Sequence, residues 1–175
     1  AETDTFVDFP NNWSTEAMTA AVENGLLVGT SPTTIEPDKY VTRAEFAAMI
    51  VRAFGAEVKA DISGFTDVEK DAWYYDYVAK VCNMGVMKGT GDTTFSPRDT
   101  MRREDVFLAI ARVLFISGED ETYLNVFKDK SLIDSWSKEA IIGMVANEYL
   151  RGYEDNTLRP RNTITRAELA QILHN

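Results

Sequence analysis

A chain of 175 residues with 45% hydrophobic side chains has enough apolar material for one domain or a tight cluster of small units. Its 18 basic and 28 acidic residues leave a net charge of -10, which argues against nucleic acid and anionic membranes as partners, since both require a basic face. The longest apolar stretches, such as 106–116 interrupted by Arg112, fall short of a membrane span, so no membrane insertion is expected.

The opening Ala1-Glu2-Thr3-Asp4 carries neither the basic nor the apolar segment of a secretion leader. The single cysteine, Cys82, cannot form an internal disulfide and leaves the redox compartment open.

The chain repeats itself. Phe6, Trp13, Gly29, Pro37 and Arg43 recur as Phe65, Trp73, Gly89, Pro97 and Arg103 at a spacing close to 60, and Trp136, Gly152, Pro160 and Arg166 follow at a further 63. A period of this length marks supersecondary units that bury their apolar faces against one another. The expected copies are 1–60, 61–122 and 123–175, joined by polar, glycine-containing linkers at 55–64 and 117–123.

Each copy opens on a phenylalanine followed two residues later by Asp8, Asp67 or Asp129, which suit a turn. A tryptophan then precedes a first helix whose apolar positions are Ala17, Met18, Ala21 and Val22; Tyr77, Val78, Val81 and Cys82; and Ala140, Ile141, Met144 and Val145. That spacing draws one apolar stripe on a 3.6-residue helix and makes Cys82 a small core hydrophobe. Trp13, Trp73 and Trp136 are read from position alone as packing anchors, although their flat faces also suit a sugar ring. Gly25 and Gly85 suit left-handed helix ends, where the third copy has Glu148.

Turn-rich loops carry Gly29, Gly89 and Gly152, glycines that permit unusual dihedrals or a close approach. They lead to short extended segments, of which Thr94-Phe95-Ser96-Pro97 and Thr157-Leu158-Arg159-Pro160 are expected to pair. A second helix follows, apolar on nearly every side in Phe46–Val51 and Val106–Ala111, and therefore buried all round. The third runs through Leu169–Leu173 to the chain end. Three such helices meeting on one axis, with the amphipathic helices outside, is the most economical mainly α architecture.

Arg43, Arg103 and Arg166 stand in the first turn of these second helices, where the helix dipole disfavours a cation. Thr42-Arg43-Ala44-Glu45 and Thr165-Arg166-Ala167-Glu168 fit a capping box, which accounts for Thr and Glu but not for Arg. The middle copy reads Arg102-Arg103-Glu104-Asp105 and keeps the arginine without the threonine. Free amides at a helix start beside a guanidinium suit a carboxylate or phosphate; an acidic side chain of the adjoining copy is the competing partner.

Catalysis has no visible footing: His174 is the sole histidine, at the end of the sequence, and no serine or cysteine has an evident base. Neither cofactor nor metal is expected, because the acidic loops lack the ligand spacing of a calcium loop.

Phe-Val-Asp or Phe-Thr-Asp, then Trp, then Gly152-Tyr153-Glu154-Asp155-Asn156 and Ile164-Thr165-Arg166-Ala167-Glu168, resemble the S-layer homology (SLH) repeat from Phe6 to Leu173. The resemblance implies three lobes in pseudo-threefold arrangement around a central three-helix bundle. It further implies a monomeric, non-enzymatic module of a larger bacterial surface protein, at the cell wall or S-layer. Its partner would be a secondary cell wall polymer attached to peptidoglycan, carrying pyruvylated N-acetylmannosamine and held in grooves between lobes. On that basis Arg43, Arg103 and Arg166 hold the ketal carboxylate. Thr42 and Thr165 add hydroxyl or amide contacts, and Trp13, Trp73, Trp136, Gly29, Gly89 and Gly152 line the sugar. Arg102, standing for a threonine, sets the middle site apart. A protein-protein scaffold within a surface layer is the alternative. By copy the basic and acidic residues number 4 and 9, 7 and 12, and 7 and 7, which favours the groove bordered by Arg166 for an anion.

Overall fold

The computed structural model describes residues 3–175; Ala1 and Glu2, and with them half of the leader reading, lie outside the described residues. Six α-helices carry the fold: α1 Thr15–Glu23, α2 Arg43–Phe54, α3 Tyr75–Met84, α4 Arg103–Leu114, α5 Lys138–Ala146 and α6 Arg166–His174. Short 3-10 turns cover Thr3–Thr5, Glu121–Val126 and Lys130–Leu132. The only β pairing among the described residues is three isolated antiparallel bridges. The architecture is mainly α, as the repeats imply.

Contacts divide the chain into two compact units. Ala1–Thr100 with Thr165–His174 form one, and Met101–Ile164 with Asn175 the other. In the first, α1 packs on α6 and α2 on α3; in the second, α4 packs on α5. The second helix of each copy therefore lies against the first helix of another copy. No copy closes its own core, which is how a repeat unit that cannot bury its face alone is stabilised.

The periodicity explains which faces are covered. Ala17, Met18, Ala21 and Val22 are all buried in α1, as are Val78 and Val81 in α3 and Ala140, Ile141 and Met144 in α5. Cys82 and Val145, at the stripe's edge, are only half-buried, so Cys82 is a boundary residue rather than a full core member. Burial pushes its thiol pKa up. The second helices are covered on nearly every side, from Phe46 to Val51 in α2 and through Val106, Phe107, Ala109, Ile110 and Ala111 in α4. Each fully buried Phe or Ile contributes about 1.5–3 kcal/mol of transfer free energy.

Helix ends follow the chemistry of their residues. Gly25 and Gly85 have φ of 72° and 75°, and Glu148 adopts the same left-handed turn at 63°. The third copy thus keeps the backbone of a glycine cap while bearing a side chain that disfavours it.

Two expectations change. Residues 94–97 and 157–160 do not pair; the bridges join Tyr40 to Thr165, Thr42 to Thr100 and Arg102 to Thr163, all just before helices or at their entry. Phe95 and Leu158 are buried instead. The second linker is likewise structured: Glu121–Val126 is a 3-10 helix, and the Ser117 backbone lies so close to α5 that a Cβ on Gly143 would meet it at 2.8 Å.

The conserved geometry of the copies rests on the opening aspartates. Asp8 accepts the amides of Ile35 and Glu36 at 2.8 and 2.9 Å, Asp67 those of Phe95 and Ser96, and Asp129 those of Leu158 and Arg159. The second residue of each pair, immediately before the proline, has a left-handed backbone: Glu36 φ 46°, Ser96 φ 57°, Arg159 φ 52°. Such a conformation costs a non-glycine residue about 1–3 kcal/mol. A carboxylate accepting two successive amides offsets that cost.

Candidate functional site

The three arginines share one geometry. The Nε of Arg43 donates to the Phe95 carbonyl at 2.9 Å, that of Arg103 to Leu158 at 3.0 Å, and that of Arg166 to Ile35 at 2.9 Å. These acceptors are the residues whose own amides the aspartates hold. One guanidinium Nη2 then reaches a loop carbonyl, Lys88 for Arg43 and Val28 for Arg166. Arg103 and Arg166 are 5% and 4% exposed, so they are built into the fold rather than displayed.

The helix starts are occupied as well. Arg43 and Ala44 donate their amides to Asp99 and Pro97, Arg103 and Glu104 to Asn162 and Pro160, and Arg166 and Ala167 to Lys39 and Pro37. The expectation of free amides waiting for an anion is therefore corrected. The strand-like segment after each proline docks onto a helix start from another copy and satisfies its first donors. The cation that the dipole disfavours is held by carbonyl oxygens, which need no ligand.

The threonines are similarly committed. Thr42 Oγ1 accepts from the Glu45 amide and donates to Glu45 Oε1, both at 3.1 Å. Thr165 and Glu168 complete a reciprocal box at 3.1 and 3.0 Å. In the middle copy only half the box survives, with Asp105 accepting from the Arg102 amide at 3.1 Å. The glycines have a packing reason: a Cβ on Gly29, Gly89 or Gly152 would lie 2.6–2.7 Å from the opening phenylalanine, Phe6, Phe65 or Phe127.

The tryptophans depart from the anchor reading. Trp13, Trp73 and Trp136 are 62%, 60% and 49% exposed, because each stands at the lip before its helix, outside the apolar stripe. Aromatics this exposed are not core.

One groove of about 410 Å³ gathers several of these residues. Its floor is the 26–30 loop with Gly29, one wall is the Glu45, Ala48, Met49 and Arg52 face of α2, and Lys39, Trp73 and Arg166 complete it. Residues of all three copies meet here. Arg166 Nη1 lies 3.0 Å from Glu45 Oε2, and Lys39 Nζ 3.8 Å from Oε1. Arg166 thus has an acidic partner from another copy, as the competing reading allowed, yet the groove is lined by three cations and one carboxylate. The wall belongs mostly to copy one, so the neutral count of copy three is not what sets the field of this groove.

Lys39 and Arg52 escaped the sequence reading. Lys39 sits in a loop with no motif, and Arg52 hides in a helix that reads as apolar all round. Its position seven residues after Glu45 was the available signal. Arg103, in the second unit, lies under two rings, 4.6 Å from the centroid of Tyr153 and 5.1 Å from that of Phe107. No cluster of three metal-ligating side chains occurs among the described residues, and no helix among them is long and apolar enough to cross a membrane.

Comparison with known proteins agrees with this repeat geometry. The family model described as S-layer homology domain matches residues 5–47, 64–107 and 126–170. The "Surface-layer 125 kDa protein" of Lysinibacillus sphaericus is 30% identical over 93% of this chain, which spans 14% of that protein. "Exoglucanase XynX" of Acetivibrio thermocellus is 28% identical over 97% of this chain and is spanned to 16%. The "Cellulosome-anchoring protein" of the same species is 27% identical over 79%, spanned to 32%. One segment shared by a surface-layer protein, a glycanase and an anchoring protein does not carry the chemistry of the enzyme among them.

Proposed function

The chain belongs to the S-layer homology family, and on that premise we propose that it is a non-catalytic module anchoring a larger bacterial surface protein to the cell wall by holding an acidic secondary cell wall polymer. The polymer is of the pyruvylated N-acetylmannosamine type, attached to peptidoglycan, and the module acts as a monomer at the cell surface. The observation that carries this reading is the groove in which Arg166 and Lys39 flank a single carboxylate, Glu45, and exposed Trp73 joins the lining. In a chain of net charge -10, such a concentration of cations is a local field suited to an anion.

Arg166 is fixed by the Ile35 and Val28 carbonyls and paired with Glu45, so the positive charge left over in the groove comes from Lys39 and Arg52. A sugar-borne carboxylate is the ligand that uses both features, taking the cation with its oxygens and the indole face with its ring. Gly29 lets this loop pack on Phe6 at the groove. By repetition Arg43 and Arg103 with Trp13, Trp136, Gly89 and Gly152 are proposed for equivalent roles, and Thr42 and Thr165 serve them through their caps.

The test is sedimentation with purified sacculi before and after mild acid removal of the attached polymer. Retention is expected on the intact wall and is lost after extraction; retention unchanged by extraction refutes the polymer as partner and favours a protein scaffold. Arg166→Gln is expected to weaken retention at least about tenfold, the loss of a charge-assisted contact.

A further inference from the structure

The wall of the groove is ordered along α2. Glu45, Ala48, Met49 and Arg52 fall at i, i+3, i+4 and i+7, so they form one face of two turns with a charge at each end and two buried apolar residues between. Seven residues of α-helix separate the ends by about 10 Å. At one end the Glu45 carboxylate lies between Arg166 Nη1 at 3.0 Å and Lys39 Nζ at 3.8 Å, which marks where a carboxylate is held. At the other end Arg52 stands in no ion pair among the described residues, and its guanidinium lies 5.1 Å from the Tyr77 ring centroid. Tyr77 meets Trp73 edge-on at 6.3 Å, so the second cation borders the exposed indole.

Charge counting points the same way. Lys39, Arg52 and Arg166 against Glu45 leave two positive charges in one groove. A single ketal carboxylate engages one end and cannot reach the other across two helical turns. The extra cation at position 39 is peculiar to copy one: the aligned residues are Asp99 and Asn162.

We propose that this groove is a two-anion site that takes two consecutive charged residues of an acidic glycan, the first on Arg166 and Lys39 and the second on Arg52 beside Trp73. The inference rests on the polymer-binding reading and names the ligand class within it: an oligomer with negative groups spaced about 10 Å apart, the separation set by α2.

Calorimetric titration at fixed ionic strength decides it with two probes, the methyl glycoside of pyruvylated N-acetylmannosamine and an oligosaccharide carrying two such residues. The wild-type module is expected to bind the doubly charged probe about fivefold more tightly, the upper range of a solvent-screened ion pair. Arg52→Gln is expected to abolish that advantage while changing monosaccharide affinity less than twofold, and Arg52→Lys to retain most of it. Equal binding of the doubly charged probe by wild type and Arg52→Gln, with Arg166→Gln impaired, overturns the two-anion site and leaves polymer binding standing. Equal losses for both probes in Arg52→Gln also overturn it, since one subsite then serves a single charge. Failure of the wild-type module to bind either probe sinks the polymer reading and the inference together.

Discussion

The middle copy replaces the Thr-Arg-Ala-Glu signature with Arg102-Arg103-Glu104-Asp105, and the structure shows this to be one coupled change. Glu104 stands where the other copies have buried Ala44 and Ala167, and its side chain is 0% exposed. The Arg102 guanidinium forms an ion pair with Glu104 Oε2 and another with Asp134 Oδ2 at 3.2 Å, while Arg161 holds Asp134 Oδ1 at 2.9 Å. Ser137 Oγ donates to Glu104 Oε1 at 3.0 Å. Desolvation pushes the Glu104 carboxyl above its usual value of 4.5, whereas Asp134 is held below 3.8 by the Glu104 carboxyl and then by the two arginines. Restoring the threonine alone, Arg102→Thr, strands a buried carboxylate. Removing one partner of a buried pair costs about 3–5 kcal/mol, and because Arg102 is 39% exposed the lower end applies, about 3 kcal/mol.

Glu104→Ala leaves Arg102 in partial contact with water and with Asp134, for a cost of about 1 kcal/mol. The double variant recreates the Thr-Arg-Ala pattern of the other copies and is expected within about 1 kcal/mol of wild type. Urea unfolding of the four proteins measures a coupling of about 3–4 kcal/mol; in a chain of this length the Arg102→Thr deficit corresponds to a fall in Tm of about 6–12 °C. The pH dependence has a definite sign. A carboxyl whose folded pKa is raised binds its proton more tightly in the native state, so its contribution is most favourable below about 4.5 and is lost as pH rises through the folded value. The Arg102→Thr deficit must therefore grow between pH 4 and pH 8. Additive single effects, or a deficit that shrinks with rising pH, refute the coupling.

The other expectations are simpler. Asp129→Ala removes the carboxylate that holds the amides of Leu158 and left-handed Arg159, and is expected to cost about 2–4 kcal/mol by urea unfolding; a loss under 1 kcal/mol would show that the turn holds without its clamp. Gly89→Ala places a Cβ 2.7 Å from both Phe65 Cε1 and the Thr94 carbonyl, so a drop of about 1–3 kcal/mol is expected, read as lowered Tm, and an unchanged Tm rejects that packing account. Cys82, half-buried with its thiol pKa raised by desolvation, should react with a maleimide at pH 7 at least about tenfold more slowly than a free cysteine.

What could be read in the sequence tracks how local the physics is. The stripes of the first helices and the all-round burial of the second follow from spacing alone, and Ala17 through Val22 and Phe46 through Val51 behave accordingly. The aspartates were readable as turn residues but not as clamps, because their partners lie 27–30 positions away and nothing in Phe-x-Asp points there. The tryptophans misled for a related reason. A tryptophan before a helix looks like an anchor until the stripe is placed in three dimensions and the indole falls outside it. Gly29, Gly89 and Gly152 were legible as special, and the phenylalanine that makes them so came from the start of the same repeat.

The arginines show where inference from one element fails. A cation in the first turn of α2, α4 or α6 is unfavourable against that helix alone, and the natural reading is a missing anion. The dipole argument assumes free amides, however, and the segments after Pro97, Pro160 and Pro37 have already taken them. With those donors satisfied, the guanidinium needs acceptors more than a counter-charge, and the carbonyls of Phe95, Leu158 and Ile35 provide them. The arginine is thus first a bolt between copies, which explains why Arg103 persists when the threonine beside it is lost. Any ligand role is carried by the charge left over after that bolt is set. In the groove of copy one Lys39 and Arg52 add to that remainder and Glu45 alone subtracts.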